Sequence, residues 1–274
     1  MRILLASSVL LISTTALADS CEHRADRSFD IDPAGLRALV VELGSSDLEV
    51  RGVAGLKSIE VRARACASDP TMLERVQVSQ RRDGDRAIVK AEREGSSSWT
   101  LFGSSYGYLT LEVRLPAGLA LDIQSGSGDA VVRDVATLSY HAGSGDLDVR
   151  NVAGDVTATV GSGDIKADDV GRFTLNSTGS GDVEVSGVRG DVEAGHGGSG
   201  DLQFERVSGN VHVGDIGSGD VTLRDIERDV IVESTGSGDV AVDGVRGNLT
   251  VRAQGSGETS HRNVAGKVSI PDER

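Results

Sequence analysis

The chain has 274 residues, 36 of them glycine, only 3% aromatic side chains and a formal net charge of −14. So few large side chains exclude an ordinary globular core. So much negative charge excludes nucleic acid and anionic membrane surfaces as partners, while leaving cations and cationic peptides open.

The N-terminus begins Met1-Arg2, continues as an apolar run from Ile3 to Ala16, and reaches Ala16-Leu17-Ala18 before Asp19. A basic start, a short apolar stretch and small residues at the end form a secretory signal, residues 1–18. The run is too short to cross a bilayer as a helix. Asp19 stands where a lipoprotein signal wants a small or apolar residue, which argues against lipidation at Cys21. The expected mature chain is exported, periplasmic or on the cell surface, and not membrane-spanning. In an oxidising compartment its two cysteines, Cys21 and Cys66, are expected to pair. A bridge across about 45 residues stabilises by roughly 3 to 4 kcal/mol in the chain-entropy model.

Residues 19–124 form an N-terminal β region. Gly44-Ser45-Ser46-Asp47-Leu48-Glu49-Val50 has apolar residues one and three places after the Asp, followed by Val53 at six. Between 63 and 118 that pattern is lost. Strand-like segments at Val76–Val78, Ala87–Val89 and Leu109–Val113, with a turn at Asp83-Gly84-Asp85, suggest a less regular coil capping the N-terminal end. Within it, Ser96–Tyr108 concentrates Trp99, Phe102, Tyr106 and Tyr108 in a Gly/Ser setting. Such aromatics suit either a plug over the end of the fold or a patch binding a glycan or peptide.

Residues 125–274 are one unit copied eight times around Gly-Ser-Gly-Asp. The acidic residues are Asp129, Asp146, Asp164, Asp182, Asp201, Asp220, Asp239 and Glu258, spaced 17 to 19 apart. The sixth residue after each is Val or Ile without exception: Val135, Val152, Val170, Val188, Val207, Ile226, Val245 and Val264. The first and third are mostly apolar, and a second strand begins after a weaker Gly-Asp or Gly-Asn turn. A unit this short cannot bury its apolar side alone, so the copies must stack along an axis. The fold class expected is all-β, a single-stranded β-helix (β-solenoid) with coils of about 17 to 19 residues. An antiparallel sandwich is the alternative, but it gives no reason for two unlike turns in strict alternation. Glycine is expected to supply backbone angles closed to other residues, and each Asp to cap its own turn.

These motifs resemble a bacterial family of unknown function labelled as putative adhesins: a signal peptide, the Gly-x-x-Asp-Leu-x-Val opening, a strand ending Val-Arg-Leu-Pro-Ala-Gly (Val113–Gly118), then Gly-Ser-Gly-Asp repeats. The resemblance covers nearly all of the mature chain. It implies a β-solenoid of the cell envelope and brings no catalytic residues.

Nothing in the residues calls for an enzyme. Eight equivalent serines are not one nucleophile, and His23, His141, His196, His212 and His261 lack ligand spacing. The function expected is a non-catalytic envelope scaffold or adhesin-like binding module, whose ligand is a glycan, peptide or protein. The alternatives are a calcium-binding repeat protein and a glycan-directed enzyme with its site in 63–118. No cofactor is required. Calcium is the one ion the column of seven Asp and Glu258 invites, although in calcium-binding toxin repeats a residue separates the Asp from the Gly.

Overall fold

The computed structural model describes residues 21–93 and 106–271; the expected leader, Trp99 and Phe102 fall outside the described residues. The N-terminal part holds β1 (His23–Asp26), β2 (Phe29–Ile31), β3 (Ala38–Leu43), β4 (Asp47–Val53), β5 (Ile59–Ala67), α1 (Pro70–Arg75), β6 (Val76–Asp83), β7 (Arg86–Arg93), β8 (Gly107–Pro116) and β9 (Ala120–Ser125). The repeat continues with β10 (Ala130–Arg133), β11 (Thr137–Ala142), β12 (Leu147–Arg150), β13 (Val156–Val160), β14 (Ile165–Val170), β15 (Phe173–Thr178), β16 (Val183–Val188) and β17 (Val192–Gly197). It ends with β18 (Leu202–Val207), β19 (Val211–Ile216), β20 (Val221–Ile226), β21 (Val230–Thr235), β22 (Val240–Val245), β23 (Leu249–Gln254), β24 (Thr259–Val264) and β25 (Val268–Ser269).

From β10 onward every even-numbered strand joins one sheet and every odd-numbered strand from β9 the other. Each pairs in parallel with its counterpart one coil away, Val183 on Leu202 and Val192 on Val211 for example. Parallel pairing throughout makes the molecule a β-solenoid of about eight turns and rules out the antiparallel sandwich.

The uneven repeat length has a simple origin. From the acidic residue to the Val/Ile column the chain always takes six residues. From there to the first inward residue of the odd-numbered strand it takes three (Val135 to Leu138, Val170 to Phe173) or four, and from that residue to the next acid eight or nine. Three with eight gives the 17-residue coil, and four with nine gives every 19-residue coil. The two 18-residue coils are unlike each other: one carries the extra turn residue, the next carries a β-bulge, where Thr159 pairs with Ser177 and skips Asn176. A bulge adds one residue without disturbing the register beyond it.

Glycine is required in the main turn for closeness, not for an unusual angle. A Cβ on the second Gly of the motif would lie 2.1 Å from the carbonyl oxygen of Gly128 in the case of Gly145, and 1.9 Å from that of Gly200 in the case of Gly219. The hydrogen in that direction instead meets the oxygen, a weak Cα–H···O contact. None of these glycines has a positive φ. The left-handed corner lies five residues past the acid, at Asp134, Asn151, Asp169, Gly187, Arg206, Asp225, Gly244 and Asn263 (φ between 55° and 77°). Gly, Asn and Asp tolerate that conformation best, so Arg206 is the odd member.

The core is three stacked columns from the even-numbered strands and their corner, facing the inward residues of the odd-numbered strands. Val185, Val188, Phe204, Val207, Leu223 and Ile226 are each at most 1% exposed. Large rings do fit a coil this narrow: Tyr140, Phe173 and Phe204 are fully buried. Tyr140 has only Ala158 beside it on the next coil, and its hydroxyl donates to the carbonyls of Gly145 (2.9 Å) and Asp146 (3.2 Å) beneath the turn. Burial first, and then the charges of Asp129 and Asp146, push its phenol well above the ordinary tyrosine range.

At the N-terminal end spatial order departs from chain order. The β3–β4 coil carries β9 and β10 on one side, while the later strands β7 and β8 stack beneath it. Antiparallel β5, edged by β1 and β2, and antiparallel β6 close that end. Cys21 and Cys66 are joined, Cα atoms 5.7 Å apart, fastening β1 to β5.

Two substitutions separate the two uses of glycine. Gly200→Ala drives a methyl group into the carbonyl of Gly181, which the Cβ would approach to 2.1 Å, and is expected to cost about 3 kcal/mol. Arg206→Gly relieves a left-handed non-glycine residue and is expected to gain roughly 1 kcal/mol. Urea unfolding midpoints moving in opposite directions would bear this out.

Candidate functional site

The acidic residues form one column at the main turn, with Asp47 of β4 as its first rung and Glu258 as its last. Each carboxylate reaches into the next coil and not back to its own turn. Oδ1 of Asp146 accepts from the backbone N–H of Asp164 at 2.8 Å, and that of Asp164 from Asp182 at 2.8 Å. The chain of bonds continues through Asp201, Asp220 and Asp239 to the N–H of Glu258 at 2.7 Å. It therefore satisfies a backbone donor that a parallel strand pair leaves over at the turn.

The weaker turn carries a second ladder of the same geometry. Asp191 accepts from the N–H of Asn210 (2.8 Å), Asn210 from that of Asp229 (3.3 Å), Asp229 from that of Asn248 (2.7 Å) and Asn248 from that of Lys267 (2.9 Å). Below it stand Asp155 and Arg172, and Arg172 lies 3.7 Å from Asp191. No two carboxylates are neighbours there. An Asn oxygen thus serves the bond as an Asp oxygen does, and charge is not what the ladder needs.

At the main turn the charges are left in line. Among the described residues no Lys, Arg or His forms an ion pair with any rung from Asp47 to Glu258, whereas the faces between the turns pair their charges, as in Arg150–Asp148 at 3.0 Å and Arg262–Asp243 at 2.8 Å. Asp243 is accordingly held below the usual carboxylate range, chiefly by the hydrogen bond from Arg262. Residues 119–274 hold 26 acidic against 13 basic residues, while 21–118 hold 15 against 14. At a strand spacing of about 4.8 Å, two unit charges in water repel by roughly 0.9 kcal/mol, more than thermal energy. Beside this column runs another of exposed serines, Ser127 through Ser256, whose N–H groups bond the carbonyls of the coil below.

Of the other residues singled out by sequence, Tyr106 and Tyr108 lie at the N-terminal end with ring centroids 6.2 Å apart and planes at 28°. Tyr108, 44% exposed, is the one exposed large hydrophobic side chain among the described residues. A third grouping is hidden in the sequence: Ser177, His196 and Asp215 stand in register on adjacent coils. Residues 19 apart meet only once coil length is known to the residue. The resemblance to a catalytic triad ends there. His196 is 3.7 Å from Asp215, both are largely exposed, and Ser234 takes Asp215 Oδ1 at 2.6 Å, so nothing fixes the imidazole or excludes water. Among the described residues, no three His, Cys, Asp or Glu side chains converge as metal ligands, and no helix is long and apolar enough to cross a membrane.

Interrupting the main column tests its electrostatics. Asp164→Asn, Asp201→Asn and Asp239→Asn together keep an acceptor on every rung and separate the remaining charges from Asp146 to Glu258. The triple variant is expected to melt above the wild type at low ionic strength, with the gap closing in 1 M salt, where the screening length falls to about 3 Å. Asp201→Ala removes the acceptor as well and should cost about 1 kcal/mol at any salt.

A family model described as Toastrack DUF4097 matches residues 37–270, and the chain belongs to that family. No curated protein matches it in sequence. Several solved structures are similar to it. A putative lipid binding protein from Parabacteroides distasonis aligns over 90% of this chain and 97% of its own, at 14% identity and a TM-score of 0.41. A putative adhesin from Bacteroides fragilis aligns over 90% and 97%, at 9% identity and a TM-score of 0.36. A putative cell adhesion protein from Clostridium sporogenes aligns over 90% and 100%, at 12% identity and a TM-score of 0.30.

Proposed function

We propose that this Toastrack-family chain is an exported, non-catalytic binding rod, in which the repeat is a stiff spacer and the N-terminal end meets a glycan or peptide ligand. The observation that carries this reading is where apolar side chains reach solvent. The repeat's core rings are sealed, and its outer faces are mostly polar, with many of their charges paired. The exposed ring of Tyr108, stacked against Tyr106, lies instead on the closing coil. Rigid aromatics bury large area at small entropic cost, which suits recognition of sugar rings and extended peptides. Trp99 and Phe102, close by in sequence, are proposed as further ligand-binding residues. Screening the mature chain against glycan and peptide arrays, with Trp99 fluorescence as a second readout, should find a ligand that Tyr108→Ala binds at least tenfold more weakly, a loss of about 1.4 kcal/mol, with an unchanged melting temperature. A ligand whose affinity ignores Tyr108 and falls with changes on the repeat faces would overturn it.

A second reading rests on the main acidic column. Its charges are closer than the roughly 7 Å at which two charges in water interact with thermal energy, so cations, calcium among them, should collect along it. Millimolar calcium is then expected to raise the melting temperature of the wild type beyond sodium chloride of equal ionic strength, and that of the triple Asn variant by less. An unmoved melting temperature would remove this reading.

A further inference from the structure

A parallel solenoid ends in a liability: its last coil offers unpaired backbone groups over an exposed slice of core, an invitation to another strand. In this chain the last coil breaks the repeat's own rules at the positions that face that slice. One place after the acid, where seven coils have Ala, Leu, Ile or Val, stands Thr259; three places after, where they have Val, Ala, Phe or Leu, stands His261. The rest of the edge is equally polar. From 258 to 274 the chain carries Arg262, Lys267 and Arg274 against Glu258, Asp272 and Glu273, a balance the acidic repeat as a whole lacks. Thr259 is held by a hydrogen bond from its hydroxyl to Gln254 Oε1 at 2.6 Å, and Gln254 turns its amide to the carbonyl of Gly257. Arg262 is held on Asp243 at 2.8 Å. β25 is two residues long and is followed by Pro271, which has no N–H to offer a further strand. What remains apolar at this end is Val264, Val268 and Ile270, all half-buried.

We infer that β24 and β25 are a stop: a polar coil, the last of those described, that keeps this end of the solenoid from pairing with the same end of a second copy. The opposite end cannot serve as partner, because antiparallel β5 and β6, with β1 and β2 on β5, close it in a different geometry. Loss of the stop therefore leads to tail-to-tail dimers, not fibres.

The test restores the repeat's own residues. Thr259→Val with His261→Val copies Val240 and Val242 of the coil below, so the new side chains match neighbours already present. Sedimentation velocity of the mature chain should show a monomer for the wild type and a dimer for the double variant at the same concentration, with circular dichroism unchanged. Further substitution of Arg262→Ser should tighten the dimer. A double variant that folds and stays monomeric overturns the inference, as does a wild type that already pairs through this end. If the double variant does not fold, the nearly isosteric Thr259→Val carries the test by itself, with the same two outcomes.

Discussion

The fold depends on how closely one turn can sit on the next. Parallel strands fix the coil spacing, and the turns must then close at that same spacing with no slack. They do so because the second Gly of each Gly-Ser-Gly-Asp presents a hydrogen where any other residue would present a carbon, about 2 Å from the carbonyl below. With the turns in contact, the acidic side chain is short enough to reach the next coil's N–H, and the Val or Ile six residues on is delivered to the core at the same height in every coil. The repeated tetrapeptide is a spacing device first.

From that constraint follows a division of labour. The weaker turn solves the same hydrogen-bonding problem with alternating Asp and Asn, and with Arg172 beside Asp191 it leaves no like charges adjacent. The main turn leaves its carboxylates in line. Local backbone chemistry accounts for an acceptor at each rung but not for a charge at each rung, so the acceptors belong to the fold and the charges to the surface properties of the molecule. The ends differ in kind: one is closed by antiparallel strands and a disulfide and shows aromatic rings, the other is a single polar coil.

Much of this is legible in the sequence. The Val/Ile column, the two-residue periodicity and the alternation of strong and weak turns are enough to exclude a sandwich and to place the echo at Asp47 on the same stack, as the pairing of Leu48 with Ala130 shows. Other features are hidden for physical reasons. An Asp in a turn can accept from its own turn or from a neighbour, and only the coil spacing decides; the expectation of a cap on its own turn is therefore corrected by the bond from Asp164 N–H to Asp146. A glycine reads alike whether it serves a positive φ, as at Gly187, or a close approach, as at Gly145. Equal spacing also conceals the two distinct 18-residue coils, and chain order conceals that β8 lies beneath β4.

The claim that the acidic side chains are rungs between coils is open to direct measurement by residue-resolved amide hydrogen exchange. The backbone N–H groups of Asp164, Asp182, Asp201 and Asp220 belong to solvent-exposed residues at turns, where exchange is ordinarily fast. If each is held by the carboxylate of the coil below, they exchange as slowly as the neighbouring strand amides of Ile165, Val183, Leu202 and Val221. Exchange at the rate of an open loop would contradict the ladder and, with it, the account of why this tetrapeptide repeats.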